Sequence, residues 1–138
     1  MNKPFTDIRI IGLDADRTKR SPSAPRFRLM HLSLSDTPPH RWCQIFDAER
    51  QFPRQSLWAR AWIEGASIVV DCVPEELEQY HMEDLSQDVA NSNTKFRNFL
   101  AQETRVAEAA RQAEQIEQMR NRMNFDWNRR VIDRKDRF

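Results

Sequence analysis

The stretch EELEQYHMEDLSQDVANSNTKFRNFLAQETRVAEAARQAEQIEQMRNRMN, residues 75–124, decides the fold. After Pro74 the chain holds neither proline nor glycine. Apolar side chains recur at helical spacing, at Leu77, Tyr80, Leu85, Val89, Phe96, Leu100, Val106, Ala110, Ala113, Ile116, Met119 and Met123. Roughly fifty residues at about 1.5 Å each make a helix of about 75 Å. A compact chain of this size is only about 40 Å across. An unbroken helix would therefore outrun the body available to cover it. The one weak place is Asn91-Ser92-Asn93-Thr94, four residues that favour caps and turns. A break there would let the second half fold back on the first. One flank of Phe96 to Met123 calls for a partner in both cases, either another chain or the first half of the same helix.

Working outward, Pro74 reads as the start of this helix, with Glu75, Glu76 and Glu78 placed where the helix dipole favours negative charge. The segment before it, Ser67 to Val73, is β-branched and nearly continuous, the strongest strand in the chain. Ser56 to Ile63 alternates with strand period, and Glu64-Gly65-Ala66 reads as the turn of a hairpin between the two. Further upstream, Asp36-Thr37-Pro38-Pro39 opens a short helix, with Thr37 as cap and Trp42, Ile45 and Phe46 on one face. Pro53 stops it. Phe27 to Ser35 reads as a strand with a bulge near Met30-His31. Phe5 to Leu13 reads as another, and residues 14–26, rich in proline and serine, read as a loop.

The order β-β-α-β-β-α predicts a two-layer α+β head, a four-stranded antiparallel sheet with helices on one face. The expected boundaries are 1–100 for the head, including the first half of the long helix, and 101–138 for a helical arm and charged tail. A faint echo at an offset of 35 residues sets Pro39-His-Arg-Trp42-Cys-Gln44-Ile45 over Pro74-Glu-Glu-Leu77-Glu-Gln79-Tyr80. The match is too short to establish duplication.

The chain has 138 residues, 39% hydrophobic and 31% charged, a balance that a solvated helical arm explains. The net charge of +1 hides a segregation. Residues 1–60 carry 11 basic and 6 acidic side chains, residues 61–104 carry 2 and 9, and residues 105–138 carry 9 and 6. An acidic middle between basic ends favours head-to-tail contact or a complementary partner, although solvated faces would look the same. No apolar run is long enough to span a membrane. The N-terminus lacks the apolar core of a signal peptide, so a cytoplasmic protein with reduced, half-buried Cys43 and Cys72 is expected.

The search for chemistry excludes more than it finds. With only Gly12 and Gly65, a glycine-rich phosphate loop is impossible. His40 and Cys43 have ligand-like spacing, but Cys72 belongs to a hydrophobic strand, so no metal site is expected. His31 reads as a strand histidine. His81, Glu83, Asp84 and Asp88 crowd one helix region and read as solvated. No catalytic residue and no cofactor is assigned.

Two binding readings remain. The first is a non-enzymatic assembly or adaptor protein. Its long C-terminal helix would self-associate or dock on a larger protein partner through Phe96, Leu100, Val106, Ala110, Ala113, Ile116, Met119, Met123 and Trp127. The stripe is narrow and made of small or flexible residues, which suits a loose seam better than a firm coiled coil. Glu108–Arg111, Glu117–Arg120 and Asp126–Arg129 are spaced to pair along its surface. The second reading is a nucleic-acid-binding module. It would use the basic loop 14–26 with Arg17, Lys19, Arg20 and Arg26, together with Arg28 and a strand face carrying Trp58, Arg60 and Trp62. The competing role for those tryptophans is core beneath the helices, with Arg60 at the edge.

Overall fold

The computed structural model describes residues 4–54 and 56–136, with side chains as far as residue 124. The elements are β1 (Ile10–Arg20), β2 (Arg28–Leu34), α1 (His40–Arg50), β3 (Arg60–Glu64), β4 (Ser67–Cys72), α2 (Pro74–Glu76), a π-helical turn (Leu77–His81) and α3 (Met82–Asp136). The strands form one antiparallel sheet in the order β1-β2-β4-β3. This is the α+β head with a long helical extension that the periodicities predict. The chain divides into two compact units, Met1–Asn98 and Phe99–Phe138.

The core of the first unit follows from strand register. Cross-strand partners share a face, so Leu32, Ile68 and Ile63 lie together, as do Met30, Val70 and Ala61. Against them stand Trp42 and Phe46 of α1, stacked at 5.6 Å, with Leu77, Leu85 and Val89 of the helical segment. Of the four tryptophans, Trp42 fills this core with no exposed surface. Gly65 makes the β3–β4 turn at φ 57°, a conformation that side chains resist.

The opposite face is less open than an antiparallel sheet allows. His31, Ser67, Val69 and Asp71 on it are buried. Part of their cover comes from the first strand and the turn after it, where Arg17 donates to the Ser67 hydroxyl and the Ser23 hydroxyl donates to Asp71; β1 continues through residues read as loop. Between Asp14↔His31 and Lys19↔Leu29 the first strand uses five steps where β2 uses two. The surplus bows out, a large bulge on the edge strand. The chain therefore turns at 21–27 rather than at 14–26, closed by the Phe27 amide donating to the Ala24 carbonyl. The bulge expected in β2 near Met30-His31 is absent; β2 pairs regularly with β4, and both register shifts lie in β1. Leu29 and Leu32 point to opposite faces because both faces are covered.

The helices correct one further expectation and decide between two alternatives that the sequence leaves open. Thr37 does not cap α1: its N-cap is Pro39, and no side chain bonds the first turn. The helical segment from Pro74 also does not break at Asn91–Thr94, since α3 runs through it. Ser92 and Thr94 return their hydroxyls to the carbonyls of Asp88 and Ala90. Asn93 bonds outside the helix. Its Oδ1 accepts from the Ile8 amide and from Trp42 Nε1, each at 2.9 Å, and its Nδ2 donates to the Ile8 carbonyl at 2.9 Å. Polar side chains with dedicated partners offset the poor helix propensity of this tetrapeptide. The irregularity falls instead at the π turn, where one extra residue shifts the helical phase. Tyr80, expected on the buried stripe, is turned outward, and His81 takes the inner place.

Candidate functional site

The long helix divides its apolar stripe at the head. Phe96 is 5% exposed and meets Phe5 edge-on at 4.6 Å. It belongs to the core of the first unit, so its expected role as a partner contact is corrected: the N-terminal segment, pinned at Ile8 by Asn93, covers it. From Leu100 onward the stripe is open. Val106 is 58% exposed, Ile116 61%, Met119 47% and Met123 63%. Ala110 and Ala113 between them are exposed, as is every described residue from 101 to 124. Of the surface pairs expected on this helix, Glu117–Arg120 is closed. Asp126, Arg129 and Trp127 lie outside the residues whose side chains are described.

The basic candidates are only partly brought together. Register aligns Lys19, Leu29, Asp71 and Arg60 in one row across the sheet, and Arg20, Arg28 and Cys72 in the next. Lys19, Arg20, Arg28 and Arg60 thus share one end of the sheet, and Arg26 is exposed in the adjoining turn. Several are occupied within the chain. Arg17 donates to the Ser67 hydroxyl at 3.2 Å, and Arg28 closes the turn by donating to the Pro25 and Phe27 carbonyls. Arg60 lies over the Trp62 ring at 5.1 Å, whose Nε1 donates to Glu64. Trp58 precedes β3 and stands against Arg50 at 5.2 Å. The three-residue Trp58-Arg60-Trp62 face is therefore reduced to Arg60 and Trp62.

Sequence reasoning missed a buried charge cluster between α1 and α3. Arg50 donates to Asp84 and Asp88, both at 2.8 Å, and to the Ala59 carbonyl. Arg54 reaches Asp84 at 2.9 Å and Asp88 at 2.5 Å. Glu49 extends the cluster to Lys95 and to Asn91. Asp84 and Asp88, read as solvated, are buried, as is Arg50. Burial alone would raise the Asp84 pKa; hydrogen bonds from Arg50 and Arg54 outweigh it and hold the group below the usual carboxylate range. With each carboxylate engaged by both guanidiniums, the cluster acts as a clamp between helices. The available signal was the i, i+4 spacing of Asp84 and Asp88, which puts two carboxylates on one turn of α3, with Arg50 at the end of α1 and Arg54 just past it to meet them.

His31 and His81 are buried, and burial lowers the pKa of both, with nearby Arg17 adding to the effect at His31 and Arg50 at His81. Cys72 is fully buried rather than half-buried, and its thiol is pushed up to about 11, chiefly by desolvation. Among the described residues no three histidine, cysteine or carboxylate side chains are grouped to hold a metal, and no helix is long and apolar enough to cross a membrane. Comparison with protein-family models, with curated proteins and with solved structures finds no match.

Proposed function

We propose that this protein is a non-enzymatic assembly protein whose C-terminal helix associates with a protein partner, in the first place a second copy of the same chain. The observation that carries this reading is the exposed run Val106, Ile116, Met119 and Met123 on a helix with no described neighbour in its own unit to cover it. These side chains are about half exposed, so covering all eight of them in a pair of copies supplies roughly 6–12 kcal/mol gross. Association itself costs about 4–15 kcal/mol. The most favourable balance, about 8 kcal/mol, corresponds to micromolar binding, so association through this stripe is weak and no tighter than that. Light scattering across a concentration series tests it. The expected result is mass rising with concentration, and loss of that rise in the Ile116→Glu/Met123→Glu variant. A wild-type chain that stays monomeric up to hundreds of micromolar would refute the reading, since about 8 kcal/mol corresponds to micromolar binding.

The cationic end of the sheet favours nucleic-acid binding as a second reading, with Trp62 beside Arg60 as the stacking element. Its test is a gel shift at rising salt, because phosphate contacts weaken steeply with ionic strength. Unaltered binding in a Lys19→Ala/Arg60→Ala variant would remove it.

A further inference from the structure

A cleft of about 380 Å³ opens on the first unit between the start of β1 and the π turn. Ile10, Ile11, Leu13 and Leu32 form its strand side, and Leu77 and Met82 its helix side, with Glu78 at the lip. Its position follows from two irregularities. The first register shift in β1, between Ile10 and Gly12, places Ile11 outside the ladder. The π turn displaces the helix phase beside it and turns Tyr80 outward. Ile11 and Leu13 are consequently exposed apolar side chains at its opening. Gly12 adds no side chain to fill the space.

A ligand for this cleft must be apolar at its centre and basic at its margin. The far part of the C-terminal helix has that layout. At about 100° per residue, Ile116, Met119 and Met123 fall within roughly 60° of one another, while Arg120 and Arg122 flank them on either side. The charge blocks agree, with a net-acidic middle segment containing Glu78 and a net-basic C-terminal one.

We propose that the cleft between β1 and the π turn is the seat for the Ile116/Met119/Met123 face of a second copy, with Glu78 meeting Arg120 or Arg122. The proposal rests on the self-association read from the helix and names where that helix docks. The two contacting surfaces are unlike. Such contacts either close into a ring or propagate, so the mass distribution reports which occurs.

The experiment compares five full-length chains by sedimentation or light scattering: wild type, Ile116→Glu/Met123→Glu, Leu13→Glu, Glu78→Arg, and Glu78→Arg combined with Arg120→Glu and Arg122→Glu. Leu13 and Glu78 are exposed, and far-UV circular dichroism confirms that the variants stay folded. Leu13→Glu is expected to weaken association by about a hundredfold, because it sets a charge in an apolar seat. Glu78→Arg is expected to weaken it by about tenfold, and the added charge reversals to restore it to within about threefold of wild type. Suppose Ile116→Glu/Met123→Glu abolishes association while Leu13→Glu and Glu78→Arg match wild type. The helix then docks elsewhere: the cleft is overturned and the self-association stands. A wild-type chain that is monomeric throughout overturns both.

Discussion

Replacing Asn93 by alanine isolates the contact that keeps the N-terminal segment on the helix. The side chain makes three buried hydrogen bonds, accepting from the Ile8 amide and Trp42 Nε1 and donating to the Ile8 carbonyl. A typical bond contributes about 1 kcal/mol net, and a buried group left unpaired costs about 1–3 kcal/mol. Three bonds give a loss of about 3 kcal/mol if the freed groups find water, and more if they stay dry. Alanine returns about 0.6 kcal/mol through its better helix propensity. Ile8 is itself buried, and Phe5 beside it covers Phe96, so letting water reach Ile8 sacrifices apolar burial as well. The expected destabilisation is therefore about 2–5 kcal/mol. Urea unfolding followed by near-UV circular dichroism reads it. A domain of this size has a slope of about 1–3 kcal/mol per molar urea, so the midpoint falls by roughly 1–2 M. Hydrogen exchange adds a local readout, with the Ile8 amide losing its protection in the variant. A loss below about 1 kcal/mol would refute the reasoning, because it would mean these three bonds together contribute no more than one ordinary bond.

Other outcomes follow from the buried charges and thiols. Arg50→Met leaves the Asp84 and Asp88 carboxylates with Arg54 alone and is expected to cost about 3–5 kcal/mol in urea unfolding, whereas a triple change with Asp84→Leu and Asp88→Leu recovers most of it. Stability should fall with acid in two windows. His31 and His81 have folded pKa values below 6.5, so the unfolded chain takes up their protons first and stability declines as pH drops below about 6.5. The depressed Asp84 stabilises the fold above its unfolded value near 3.8, and that contribution is lost as pH falls through the lower folded value. Thermal midpoints between pH 3 and 8 check both windows, and a flat profile contradicts them. At pH 8, iodoacetamide should label half-buried Cys43 well before Cys72, which is buried in β4 with its thiol pushed up to about 11; equal rates by mass spectrometry would contradict that burial.

The residues that announce the fold do so through period. The nearly continuous β-branched run in Ser67 to Cys72 and the helical spacing after Pro74 are local signals, and the sheet and long helix follow from them. What escaped reading is pairing between distant residues. Asn93 looks like a helix breaker until Ile8 and Trp42 are brought beside it. Asp84 and Asp88 look solvated until Arg50 arrives from another helix. The strand through Asp14 to Arg20 was hidden because its surplus residues bow out of register, and an alternation rule cannot follow a bulge of that size. Phe96 shares the spacing of the open stripe, and spacing alone does not say where cover ends. The cover is Phe5, from the far end of the sequence.

That boundary at Phe96 sharpens the argument about the remainder of the helix. Residues 101–124 are rich in alanine, glutamate, glutamine and arginine, among the best helix formers, and the run exceeds the roughly 12–15 residues below which isolated helices are marginal. Helicity there does not require tertiary packing. Nothing in helix propensity asks for Val106 or Ile116, since β-branched residues are poorer helix formers than alanine. Nor does it ask for methionine at 119 and 123, where glutamine or lysine would serve as well and keep the surface polar. Each of these four side chains, about half exposed, forgoes on the order of 1 kcal/mol that full burial would add. Burial is the physical benefit that these residue types offer and that an exposed helix leaves unused. On that ground the covered state, rather than the bare helix, is the form in which residues 106–123 make chemical sense.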